Sequence, residues 1–133
     1  AQEGDILKNG VVYIAPGGKH MRVVKKGTDY CIKLSDEPAI DGLRPCANVM
    51  YESLENCQYD EITCVVLTGM GADGTKGIQG LAAHHKKLHV IAQDADTCVV
   101  YGMPKAIAQT GLVDEVVPLG SVAETITKNV GVS

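Results

Sequence analysis

The chain of 133 residues is 45% hydrophobic and 21% charged, with a net charge of −4, the make-up of one globular domain with a modest core. It has no basic run and only five tyrosines for aromatic stacking, which excludes nucleic acid as a partner. Apolar runs fall far short of the roughly 20 residues that cross a bilayer, and no charged amino-terminal stretch leads into an apolar one, so a cytoplasmic protein without membrane insertion is expected.

The opening AQEGDILKNG reads as a loop entering a hairpin, and the start at Ala1 rather than Met suits a piece cut from a longer protein. Residues 11–15, 21–25 and 30–34 are short β-rich runs separated by the turn signals Pro16-Gly17-Gly18 and Gly27-Thr28-Asp29. Together they predict a small antiparallel meander. After Gly42 the pattern turns helical: Pro45 suits a first helical position, and Ala47, Met50, Leu54 and Cys57 recur at helical spacing. A strand over 62–67 follows, then a helix from about 74 to 86 with Ile78, Leu81, Ala82 and His85 on one face, and a strand over 88–92. Residues 103–110 read as a short helix with Gly111 as its left-handed stop, 113–117 as a last strand, and 121–130 as a final helix. Ser121 and Glu124 there have capping-box spacing. The alternation predicts an α/β fold: a doubly wound, Rossmann-like, mainly parallel sheet with the meander on one side, residues 1–133 forming a single domain.

Cys31, Cys46, Cys57, Cys64 and Cys98 are odd in number, form no CxxC pair and mostly sit in apolar patterns, so reduced buried thiols are expected. His84, His85 and His89 crowd one helix end without carboxylates or cysteines at ligand spacing, which reads as solvated surface and not as a metal site.

The most informative stretch is 67–81, LTGMGADGTKGIQGL, which passes from an apolar strand through closely spaced glycines and Asp73 into a helix. Gly69-Met70-Gly71-Ala72-Asp73-Gly74 matches G-x-G-x-x-G, and Asp94 stands 20 residues past Gly74, the outline of a dinucleotide fingerprint. Asp73 argues against that reading, because a fixed carboxylate at the helix entrance would repel a pyrophosphate. As a plain helix N-cap, Asp73 would be replaceable by asparagine. As a functional group it would orient a histidine base, the part a third residue plays in nucleophilic hydrolases.

The segments VYIAPGGKH (12–20), LTGMGADGTKGI (67–78) and IAQDADTCVVYGMPKAIAQTGLVDEVVPL (91–119), in this order and spacing, resemble the C-terminal catalytic domain of the chemotaxis methylesterase CheB family, truncated on its amino-terminal side. The resemblance implies hydrolysis of glutamate methyl esters, often with deamidation of glutamines, on methyl-accepting chemotaxis receptors. It also implies a Ser-His-Asp triad on a Rossmann-like sheet, a regulatory receiver domain, and no metal or organic cofactor. Carried over by motif, the triad aspartate is Asp73. His20, Met70, Gly71, Tyr101 and Met103 would border the active site.

The family's serine, in a glycine-rich turn, and its histidine, in a QH motif, have no counterpart: Ser35, Ser53, Ser121 and Ser133 all lack that context. Arg44-Pro45-Cys46-Ala47-Asn48 stands where the family usually reads Arg-Pro-Ser followed by an aspartate. The chain is therefore read as part of a methylesterase, inactive alone, whose partners are the missing half of its domain, the receiver domain and the receptors, with self-association of the fragment as a further expectation. Two other readings stand beside it: a nucleotide-binding Rossmann module and a noncatalytic receptor-docking domain.

Overall fold

The computed structural model describes residues 1–131, so Ser133 lies outside the described residues. Strands β1 (His20–Lys26) and β2 (Asp29–Ser35) pair antiparallel from His20↔Ser35 to Lys26↔Asp29. Their two-residue connection begins at Gly27, whose φ of 63° is the left-handed conformation that short hairpin turns require. The third strand expected over 11–15 does not form; Val12 and Ile14 there are 85% and 74% exposed. The edge of β2 is instead covered by the opening segment. Leu7 N–H donates to the Tyr30 carbonyl at 2.9 Å, Ile32 N–H to Asp5 at 2.8 Å, and Gly4 N–H to Ile32 at 2.8 Å.

Helix α1 (Ala47–Ser53) begins two residues later than Pro45 suggests, with Cys46 at its N-cap. Strands β3 (Glu61–Val66), β4 (Lys87–Gln93) and β5 (Glu115–Val117) form a parallel sheet in that order. The register runs from Glu61↔Lys87 to Val66↔Ala92, and from Ile91↔Glu115 to Gln93↔Val117. Helix α2 (Thr75–Ala83) connects β3 to β4, and α3 (Met103–Ala108) connects β4 to β5. Both crossovers supply the helical cover that parallel strands need.

Period-two alternation sends Cys64, Val66, Val90 and Ala92 to one sheet face, where Tyr51 of α1, Ile78 and Leu81 of α2 and Ile107 of α3 complete the core. The other face holds Ile91, fully buried, and is covered by α4 (Val122–Val130) through contacts with β3 and β4. Helices on both faces of a parallel sheet make this the expected α/β architecture.

Two terminal details differ from the sequence reading. α2 stops at Ala83, and His85 turns out of the helix with φ 61° into solvent instead of joining the apolar face of Ile78 and Leu81. The capping box at α4 does not form: Ser121 makes no side-chain cap and closes a 3-10 turn over Leu119–Ser121. All five cysteines are free, four of them buried and Cys98 half-buried.

Candidate active site

The loops after β3 and β4 meet at the carboxyl ends of the strands, where open α/β sheets place their chemistry. Gln93, the last residue of β4 and fully buried, joins them. Its side-chain oxygen accepts from Thr68 N–H at 2.8 Å, and its amide nitrogen donates to the Thr97 carbonyl at 2.9 Å. Thr68 and Val100 exchange two further bonds, Val100 N–H to Thr68 Oγ1 at 2.9 Å and Thr68 Oγ1 to the Val100 carbonyl at 3.1 Å. Gly69 bridges to Tyr101, and its carbonyl accepts from Met103 N–H at 2.8 Å. The fit depends on Gly102: a Cβ there would stand 2.6 Å from the Gly69 oxygen. Met70, Gly71, Tyr101 and Met103 are thereby brought to one end of the sheet.

Asp73 departs from the N-cap reading. Gly74 is the N-cap of α2, with no side-chain bond from Asp73. The Asp73 carboxylate reaches the amino end of α1: Oδ2 accepts from Ala47 N–H at 2.7 Å, and Oδ1 accepts from Asn48 N–H at 3.0 Å and from the Cys46 thiol at 3.2 Å. Burial, and then this bond to Asp73, push the Cys46 thiol up from its ordinary value and keep it a neutral donor. In return Asn48 Oδ1 accepts from the Gly74 and Gly77 amides, both at 2.9 Å. The start of α1 is thus capped by the residue just before α2, and the start of α2 by a side chain of α1.

Half-buried Asp73 lies between two hollows. One of about 600 Å³ is bordered by Met70, Gly71, Thr75 and Asn48; the other, of about 280 Å³, by Ala15, Met21, Pro45 and Met50. A carboxylate offers about four acceptor positions, and Oδ2 carries one protein donor among the described residues. An imidazole N–H entering from a hollow can bond there.

His20 is 1% exposed; its Nε2–H donates to the Pro38 carbonyl at 3.0 Å, Nδ1 has no partner among the described residues, and the ring lines neither hollow. Its neighbour Met21 does. The histidines at the helix end diverge: His84 bonds the Gly80 carbonyl, His85 faces solvent and His89 pairs with Glu115. Among the described residues no three His, Cys, Asp or Glu side chains are grouped to hold a metal ion.

The dinucleotide outline fails at the same place. Two amides at the start of α2 that would receive a pyrophosphate are already bonded to Asn48, and Asp94 bonds Thr97 within its own turn. Gln93 was given no role by the sequence, and Asn48 was marked only as standing where the family usually has an aspartate. Gln93 lies in the segment 91–119, but neither Gln93 nor Asn48 carries a local pattern that announces a contact 25 or more residues away.

The sequence profile of the family described as CheB methylesterase matches residues 1–126. The chain belongs to the CheB methylesterase family. Over 132 residues it is 42% identical to a protein-glutamate methylesterase/protein-glutamine glutaminase of Desulfotalea psychrophila, a match covering 98% of this chain and 36% of that protein. A protein of the same name from Lawsonia intracellularis is 44% identical over 126 residues, covering 95% of this chain and 35% of its own. The Thermotoga maritima CheB methylesterase catalytic domain superposes with a TM-score of 0.88 at 34% identity, over 96% of this chain and 67% of that one. The chain spans about a third of the length of these curated relatives.

Proposed function

We propose that this chain supplies the orienting carboxylate, Asp73, of a methylesterase that hydrolyses glutamate methyl esters on chemotaxis receptors. The observation that carries this reading is the set of three donors from the start of α1 that fix Asp73, a residue that also lines a hollow at the strand ends, with one protein donor on Oδ2 among the described residues. A serine and a histidine from residues outside these 133 complete the triad. The histidine takes the serine proton, the serine oxygen attacks the ester carbonyl, methanol leaves, and water releases the glutamate from the acyl-enzyme. Asp73 holds the histidine in the right tautomer and stabilises the imidazolium. Met70, Gly71, Tyr101 and Met103 form the rim against which the receptor segment lies, and His20, whose own ring lines neither hollow, takes part only through its neighbour Met21.

The test is methanol release from methylated receptor. The longer protein containing these residues is expected to release it, and the 133-residue chain alone to give no more than the buffer rate, because a carboxylate does not replace nucleophile and base. Turnover by the isolated chain, or none by the longer protein, would contradict the proposal.

A further inference from the structure

The reciprocal capping of α1 and α2 settles a competition for Asp73. That residue directly precedes the N-cap of α2, where aspartate is among the best capping residues, yet its carboxylate bonds α1 instead. The position it would fill on α2 is occupied by Asn48, whose Oδ1 accepts from both Gly74 and Gly77 at 2.9 Å. These two glycines are buried, so their amides need a partner from the protein, and leaving them bare is costly. The approach is close because residue 77 is glycine: a Cβ there would lie 2.6 Å from Tyr51 Cβ and 3.2 Å from Asn48 Cα.

We propose that Asn48 is a positioning residue for Asp73: by capping α2 from α1, its side chain keeps the Asp73 carboxylate on α1, facing the hollows. This rests on the proposed role of Asp73 in catalysis. Without the Asn48 side chain, Asp73, which directly precedes Gly74 in the chain, is the carboxylate in line to accept from the bared amides of α2. Turning toward them takes it away from Ala47 and Cys46 and from the place where a histidine would meet Oδ2.

The test compares Asn48→Ala, Asn48→Asp and Val122→Ala in the full-length methylesterase, with Asp73→Asn alongside. Asn48→Ala is expected to lower kcat roughly ten- to a hundredfold, the usual effect of misplacing a catalytic group by about an ångström, with KM little changed. Its crystal structure is expected to show the Asp73 carboxylate on the Gly74 and Gly77 amides. Asn48→Asp retains an acceptor for both amides and is expected to recover most of the lost kcat. Val122→Ala, a buried change on the far side of the sheet, is expected to lower Tm while leaving kcat intact, which separates loss of stability from loss of position. If Asn48→Ala does not fold, Asn48→Ser, which shortens the reach of the cap, takes its place with the same expectations.

The positioning role is overturned if the alanine or serine variant keeps wild-type kcat while Asp73→Asn collapses it, or if Asp73 stays on α1 in the variant's crystal structure. Wild-type kcat in Asp73→Asn overturns the catalytic reading of Asp73, and the positioning role with it. Because the crystallographic result does not depend on activity, the two failures are told apart.

Discussion

Both carboxylate oxygens of Asp73 accept hydrogen bonds from the amino end of α1, so asparagine can satisfy only one of them and turns its NH2 on the donors at the other. As a cap on its own helix the residue would exchange for asparagine at little cost; in this geometry Asp73→Asn should destabilise the chain by about 1–3 kcal/mol. Urea unfolding of the two proteins checks this, and equal midpoints would show that the contact with α1 is weaker than its distances indicate. A second effect at this scale is alkaline. Burial pushes the Cys64 thiol from 9.0 up to about 11, and it raises Tyr51 and Cys46 in the same direction. A thiol with a raised pKa keeps its proton in the folded state after the unfolded chain has lost it, so its stabilisation is complete below about pH 9 and is lost as pH rises toward 11. The loss from Cys64 is on the order of 1–3 kcal/mol. Unfolding at pH 7.5 and at pH 10.5 should show the decline, flattened in Cys64→Val; an unchanged slope in that variant would remove Cys64 as the cause.

Helices α1 and α2 touch at a point set by Gly77, and two glycine substitutions in α2 should separate contact from propensity. Gly77→Ala drives a methyl to 2.6 Å from Tyr51 Cβ, backbone-proximal and unable to yield, and should cost about 1–3 kcal/mol. Gly80→Ala meets only the carboxylate end of Glu55, which can swing aside, and should be neutral or stabilising through helix propensity. Thermal unfolding that ranks the two variants the other way would contradict this packing.

The same region shows what sequence discloses. β3, α2 and β4 were legible because apolar spacing changes from period two to helical on either side of the glycines, and because the pattern agrees with burial at Cys64, Val66, Ile78 and Leu81. Residues 11–15 carry the composition of a strand and form none. β-branched composition states that a segment can pair; here the edge of β2 was already taken by residues 4–7, and Tyr13 is tied back to Ile6 and Lys8 through its hydroxyl. At the site, the TGMGADG motif disclosed Asp73 but not its partners, because the bonds to Cys46, Ala47 and Asn48 span 25 to 27 residues.

At the scale of the molecule, β3 and β5 end the parallel sheet among the described residues, and several large apolar side chains are exposed, including Val12 at 85%, Met70 at 85% and Val99 at 90%. A strand edge left without a partner and exposed apolar side chains both favour association. The 133-residue chain should therefore self-associate at micromolar concentration or bind an apolar dye, as sedimentation across a dilution series will show; a compact monomer that binds no dye would mean that the chain closes its own core. No helix among the described residues is long and apolar enough to cross a membrane.

In the proposed function, Asp73, held by the amino end of α1, orients the base of a methylesterase. That role is tested most directly by kcat for methyl-ester hydrolysis on methylated receptor, measured for the full-length protein and its Asp73→Asn variant under conditions where both are folded. Asp73→Asn is expected to lower kcat by roughly two to four decades with KM little changed. A variant with near wild-type kcat would contradict it and leave Asp73 as a tie between two helices.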